Sequence, residues 1–385
     1  MKSERYESLD GLRGIAALIV VIFHFLCAYV PGLISEYALH PWRGSDTPLA
    51  IFYNGEFAVA IFFVLSGFVV ANSAAKRHLP VAFNLVQRYV RLAVPVLAST
   101  LLAWAILKLF PQAVHQLKLA EPDNRWLDHV YDGGLPRLRH AVLDGGLLVF
   151  LHGYSFFNNP LWTMKIELLG SWALYLICGW SQDRVRIGLL LCYLVLPLLI
   201  SQPEFSAFAA GGLLREAAIA GRLPKRWPLA ALVFGLLFGA MMKGYGDRMG
   251  LHLPELFALG EPHKFWHVVA AIFLLYAVLN LSWLKSLLAG SFARFLGRIS
   301  FGLYLVHVPL LYTVFALAYL ALPAQDALWI LLLLAGFLLT AIASGYLFTL
   351  AIDQPVLKAI RVAQDRIRTG PLTVTPGTGS RPPIS

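Results

Sequence analysis

The chain has 385 residues, of which 58% are hydrophobic and only 14% charged, and its mean hydropathy is +0.69. A soluble domain of this size has no interior large enough to hide so much apolar surface, so composition excludes that class and indicates a polytopic membrane protein. The formal charge of +10 comes without any Lys/Arg tract interleaved with aromatics, which argues against nucleic acid as a partner and points to basic loops on the inner side of a bilayer.

The first apolar segment, 14–33, has a basic start like that of a signal peptide. Its internal histidine and the lack of a small-residue cleavage site predict a retained anchor. Arg13 stands at its edge and His24 inside it, eleven residues on, or about 16 Å along a helix axis. An imidazole at that depth faces a cavity or a partner rather than lipid. A cation at the mouth can hold an anion while the imidazole moves protons, which suits a long acyl carrier whose phosphates stay at the surface. The plainer readings are a charge anchor for Arg13 and a hydrogen-bonded packing residue for His24. Cys27, one turn from His24, reads as a small buried residue; Cys178 and Cys192 also lie in apolar segments, with no metal-ligand spacing, so neither disulfides nor a metal site is expected.

The second crossing, 57–75, contains Ser66-Gly67, a polar spot that lets another helix approach closely. Arg88 and Arg91 precede the third crossing, 92–110, at i, i+3 spacing, where two guanidiniums on one face make a diphosphate clamp or ordinary inner-face anchors. The polar stretch 111–140 reads as an external lid. The apolar run 141–157 is broken by Asp144, Gly145, Gly146, His152 and Gly153. Further crossings fall at 161–180, 187–201, 205–221, 229–243, 264–284, 297–322 and 328–352. Glu167 lies inside the first of these, to pair with a cation or orient an imidazole. Arg215-Glu216 reads as a self-satisfying structural pair. Tyr304 and His307 form a second polar face at i, i+3 within 297–322.

Placing the amino terminus in the cytoplasm and leaving 141–157 as a re-entrant element puts every basic loop on one side. Those loops carry Lys76, Arg77, Arg88 and Arg91; then Arg184 and Arg186; then Arg222, Lys225 and Arg226; then Lys285, Arg294 and Arg298; and the tail adds Lys358, Arg361, Arg366 and Arg368. The expectation is an all-α membrane bundle of about ten crossings with both termini cytoplasmic: a membrane-embedded part over 1–352 and a tail over 353–385, disordered after about 369.

Five stretches, in this order, are LDGLRG…H around Arg13 and His24, FFVLSGF from Phe62, RYVR from Arg88 to Arg91, Trp162-x4-Glu167, and ISFGLYLVH ending at His307. Together they resemble the acyltransferase 3 family of integral membrane acyltransferases, over about residues 6–310. The resemblance implies transfer of an acyl group, commonly acetyl, from acyl-coenzyme A (acetyl-CoA) to a hydroxyl of a sugar or glycan, with no bound cofactor, in a bacterial inner membrane. It also implies that Arg13, Arg88 and Arg91 hold the coenzyme's phosphates. His24 would then be general base, or be transiently acylated, with Glu167 orienting it or taking the acceptor's proton. Ser66 or backbone amides would stabilise the oxyanion, and Tyr304 and His307 would be further polar pocket residues. Two positions depart from the family pattern: Ala60 stands where an acid is usual, and Lys165 interrupts the Trp-to-Glu stretch. The rival reading is a transporter or flippase of a lipid-linked sugar or small molecule that uses His24 and Glu167 as a proton relay, although no internal repeat is visible.

Overall fold

The computed structural model describes residues 7–34, 37, 47–75, 79–130, 133, 134, 136–180, 182–242 and 262–369. Lys2, Arg5, Lys76, Arg77 and the tail beyond 369 lie outside the described residues, as does part of the expected lid. Among the described residues the regular structure is entirely helical.

The helices are α1 (Glu7–Tyr29), α2 (Gly55–Ala75), α3 (Val81–Leu109), α4 (Ala113–Ala120), α5 (Leu138–Leu143), α6 (Val149–His152), α7 (Thr163–Trp180), α8 (Asp183–Leu199), α9 (Pro203–Ile219) and α10 (Pro228–Gly239). They continue with α11 (Pro262–Asn280), α12 (Ser282–Leu288), α13 (Ser291–Leu311), α14 (Val314–Leu320), α15 (Ala327–Phe348) and α16 (Gln354–Thr369). Proline opens α9, α10 and α11, at positions where its missing N–H costs nothing. The Asp326 side chain caps α15 by accepting from the Trp329 N–H at 3.1 Å. Pro309 sits near the end of α13, and the chain bends by 44° between α13 and α14.

Each of the ten expected crossings falls on a helix, but six of the described helices are long and apolar enough to span a bilayer, or seven if the bent α13–α14 pair is one span. The shortfall lies in α8, α9 and α10. Helices α8 and α9 carry an ion cluster, with Arg186 Nη2 at 3.0 Å and Arg215 Nη1 at 2.5 Å from the Glu216 carboxylate, and these charges lower their hydropathy. The Arg215–Glu216 pair is thus structural, as its sequence suggests. The run 141–157 forms no continuous helix: α5 and α6 flank a π turn at Asp144–Leu148, and Gly153 ends α6 in the left-handed region at φ 74°. This element lies against α3, where Thr100 Oγ1 donates to Ala141 O at 3.0 Å.

Burial separates an inner helix from an outer one. Of the most apolar window of α1, 72% is buried, against 17% for that of α15 and its extension. Leu331, Leu339 and Leu347 on α15 are 62%, 72% and 63% exposed, a face that only lipid can cover. Helix α1 runs parallel to α13 along its length. Gly11 and Gly14 bring the two backbones together, because a Cβ at Gly14 would meet the Gly297 N and Leu296. Gly67 of α2 does the same against Phe208 of α9, as the Ser66-Gly67 pair predicts.

Candidate active site

The parallel pairing of α1 and α13 decides what sits at each level. At one end Arg13 reaches Gly297 O at 3.3 Å; further along, His24 meets His307; beyond them the Tyr29 hydroxyl donates to Leu311 O. Two helices that each carry a cation at the mouth and an imidazole deeper in are therefore aligned in register.

Around that mouth lies a cavity of about 1200 Å³, walled by α1, α2, α3, α7, α13, the α15–α16 junction and α16. Arg13, Arg88, Arg91, Ser66, Glu167 and Tyr304 all line it. Ser66 Oγ donates to Glu167 Oε1 at 2.8 Å, the Arg88 guanidinium binds the same oxygen, and Arg88 Nε donates to Ser171 Oγ at 3.0 Å. Arg91 is clamped by both oxygens of Asp353 and lies over the Phe301 ring at 5.2 Å. Arg13 donates to Asp10 Oδ1 at 2.9 Å. Each of the three arginines expected to clamp phosphate thus already holds a carboxylate.

At the inner end, Tyr304 donates to Pro160 O and lies 2.7 Å from Thr163 Oγ1. Its ring is 5.9 Å from that of His307, one helical turn on. His24 and His307 are buried and do not line the cavity, so the Tyr304 layer stands between it and the imidazoles. His307 Nε2 is 3.0 Å from His24 Nδ1, and His307 Nδ1 is 3.1 Å from Leu303 O. A carbonyl can only accept, so His307 Nδ1 carries a proton and its Nε2 accepts. His24 Nδ1 then donates, which leaves His24 Nε2 with a lone pair, the form a general base requires.

The geometry corrects two expectations. The group that orients His24 is His307, not Glu167, which is occupied by Arg88 and Ser66. The single hydroxyl proton of Ser66 is committed to Glu167, so Ser66 has none left to offer an oxyanion. The usual acid has no counterpart at Ala60. One turn earlier, Glu56 Oε2 lies 3.0 Å from His263 Nε2. Asp353, the partner of Arg91, gave no sequence signal beyond being an acid at the end of an apolar run. Trp126, in the expected lid, packs its ring 5.6 Å from His24 on the far side, and Asn124 anchors that loop to Cys27 O and Ala28 O at 2.9 and 3.0 Å. Cys27 is buried. No group of metal-ligating side chains occurs among the described residues.

The family model described as an acyltransferase domain matches residues 6–349, a span that contains the whole cavity and the histidine pair. The chain belongs to the acyltransferase 3 family. It is 25% identical to O-acetyltransferase PaAT-1 of Phomopsis amygdali, over 79% of this chain and 72% of that protein. It is 22% identical to acyltransferase clz18 of Cochliobolus lunatus, over 78% and 81%. Protein 2 in the picA locus of Rhizobium radiobacter is 28% identical, over 52% of this chain and 97% of its own length. No solved structure matches the chain. The protein is therefore an acyltransferase with membrane-type helices, and its cavity is where an acyltransferase would be expected to hold its donor.

The Arg88–Glu167 contact can be tested as a pair. Arg88→Gln and Glu167→Gln are each expected to lower the thermal midpoint in detergent, because each strands a half-buried charge. The double variant should recover part of the loss, with a coupling of about 1–3 kcal/mol. Strictly additive losses would show that the two side chains do not depend on each other.

Proposed function

We propose that this acyltransferase moves an acetyl group from acetyl-CoA to a hydroxyl of a sugar or glycan acceptor. In this reading the chain crosses the plasma membrane of a bacterium about ten times, with the cavity mouth and both termini on the cytoplasmic side. The observation that carries the reading is a cation-lined cavity that narrows at Tyr304 onto a buried imidazole pair whose tautomers leave His24 Nε2 basic. The likeness to a relative named an O-acetyltransferase favours acetyl as the group transferred.

The donor's phosphates rest at the basic mouth and its thioester reaches past Tyr304. His24 Nε2 takes the proton of the acceptor hydroxyl as that oxygen attacks the thioester carbonyl carbon. The carbon–oxygen bond forms, the carbon–sulfur bond breaks, and the departing thiolate takes the proton back from the imidazolium. His307, accepting from His24 Nδ1, holds the ring in the productive tautomer and steadies its positive charge while it lasts. The alternative route, in which His24 Nε2 itself receives the acetyl group before the acceptor does, uses the same lone pair.

Purified protein in nanodiscs, given acetyl-CoA labelled in the acetyl group and a membrane glycan extract, should release coenzyme A thiol and place label in the glycan fraction. Thiol release without label in any acceptor would leave a hydrolase. No release from acetyl-CoA or from longer acyl donors would overturn the reading.

A further inference from the structure

Seven basic side chains line the cavity, and four of them are neutralised within it. Arg13 holds Asp10, Arg88 holds Glu167, Arg91 holds Asp353, and Arg294 lies 3.1 Å from Glu7 Oε2. The remaining three are Arg298 on α13 and Lys358 and Arg361 on α16. Among the described residues none of these three forms an ion pair. The four acids of the lining are all spoken for, so the three cations are the cavity's uncompensated positive charge.

Their placement suits an extended polyanion. Lys358 and Arg361 stand at i, i+3 on one face of α16, and that helix is fixed from both ends: Asp353 binds Arg91 ahead of it, and Gln364 donates to Gln87 Oε1 within it. Arg298 follows Gly297, whose carbonyl holds Arg13. It precedes His307 by nine residues, about 13 Å of helix rise, as Arg13 precedes His24 by eleven. A phosphate arriving at Arg88 or Arg91 would have to displace a carboxylate, whereas one arriving at this trio gains charge-assisted hydrogen bonds and displaces only water.

The geometry points to Arg298, Lys358 and Arg361 as the residues that bind the 3′-phosphate and diphosphate of the acyl-CoA donor, with Arg88 and Arg91 as structural pairs that hold the cavity's shape. This assignment rests on the donor proposed above. The shared chemistry is phosphate recognition, and an anionic lipid headgroup is the competing source.

The test compares acetyl-CoA with S-acetylpantetheine, which carries the same thioester and no phosphate, in nanodiscs of phosphatidylcholine alone. Wild type should prefer acetyl-CoA. Lys358→Gln/Arg361→Gln and Arg298→Gln should each raise KM for acetyl-CoA about tenfold, with kcat nearly kept, so that the preference over S-acetylpantetheine collapses. That size corresponds to two or three solvent-exposed charge contacts. Adding phosphatidylglycerol to wild type should leave KM for acetyl-CoA within about twofold. The assignment is overturned if these variants keep the wild-type preference while Arg88→Gln or Arg91→Gln loses it. It is equally overturned if the trio alters only the response to phosphatidylglycerol, which would make it a lipid site. A wild type that consumes S-acetylpantetheine and acetyl-CoA equally removes phosphate recognition altogether and leaves acyl transfer standing. A wild type that consumes neither overturns the donor reading itself.

Discussion

His24→Ala is expected to lower acyl transfer by a factor of about 10²–10⁴, the usual contribution of a positioned general base. KM for the donor should change little, because the basic side chains of the cavity stand a dozen or so residues away along α1 and α13. His307 separates orientation from chemistry. His307→Leu removes the acceptor for the His24 Nδ1 proton and should cost kcat of the order of a hundredfold with KM intact. In His307→Gln an amide oxygen can accept that proton again, so a substantial part of the rate should return. Donor-thiol release followed for wild type and the three variants decides the matter. Equal activity in His24→Ala and wild type would remove His24 from the chemistry. Equal losses in His307→Leu and His307→Gln would show that bulk, rather than a hydrogen bond, is what His307 supplies.

What the sequence made legible follows from which physical signals are local. Apolar runs mark helices, and every expected crossing falls on one, because hydropathy is a property of a short window. Orientation charges and motif order brought Arg13, Ser66, Arg88, Arg91, Glu167 and Tyr304 to one cavity. Pairing is not local. The positions of His24 and His307 give their depths, but their contact depends on how α1 and α13 are rotated about their axes, and the two residues are 283 positions apart. The same limit hid Asp353 from Arg91 and Glu167 from Arg88. Arg298, Lys358 and Arg361 read in sequence only as inner-face charges. Their distinction from Arg88 and Arg91 is the absence of a carboxylate neighbour among the described residues, which only the folded cavity reveals. The helical tail was equally unreadable as a wall: residues 354–369 are the most amphipathic of the chain, yet nothing in that pattern says that they close a cavity rather than lie on a bilayer.

Gly14→Ala should disable the protein although residue 14 touches no substrate. A Cβ built there would lie within 2.7 Å of Leu296 Cβ and closer still to the Gly297 backbone, and backbone cannot rotate aside as a side chain can. Helices in lipid gain nothing from hiding apolar surface, so their association depends on close packing of this kind. The substitution forces α1 away from α13, with a cost of about 3 kcal/mol, the upper end of ordinary overpacking. It also separates every pair that the crossing holds in register: Arg13 from Gly297 O, His24 from His307, and the Tyr29 hydroxyl from Leu311 O. Gly188 on α8 is the matched control, since a Cβ there meets nothing within 4 Å, and Gly188→Ala should be neutral or slightly stabilising through helix propensity. Thermal unfolding in detergent, with thiol release at a temperature where both variants are folded, compares them. If Gly14→Ala keeps the stability and the rate of Gly188→Ala, the close α1–α13 crossing is not what holds the imidazole pair together. If it loses rate even where it remains folded, the histidine contact depends on a separation between two backbones set by residues that carry no side chain.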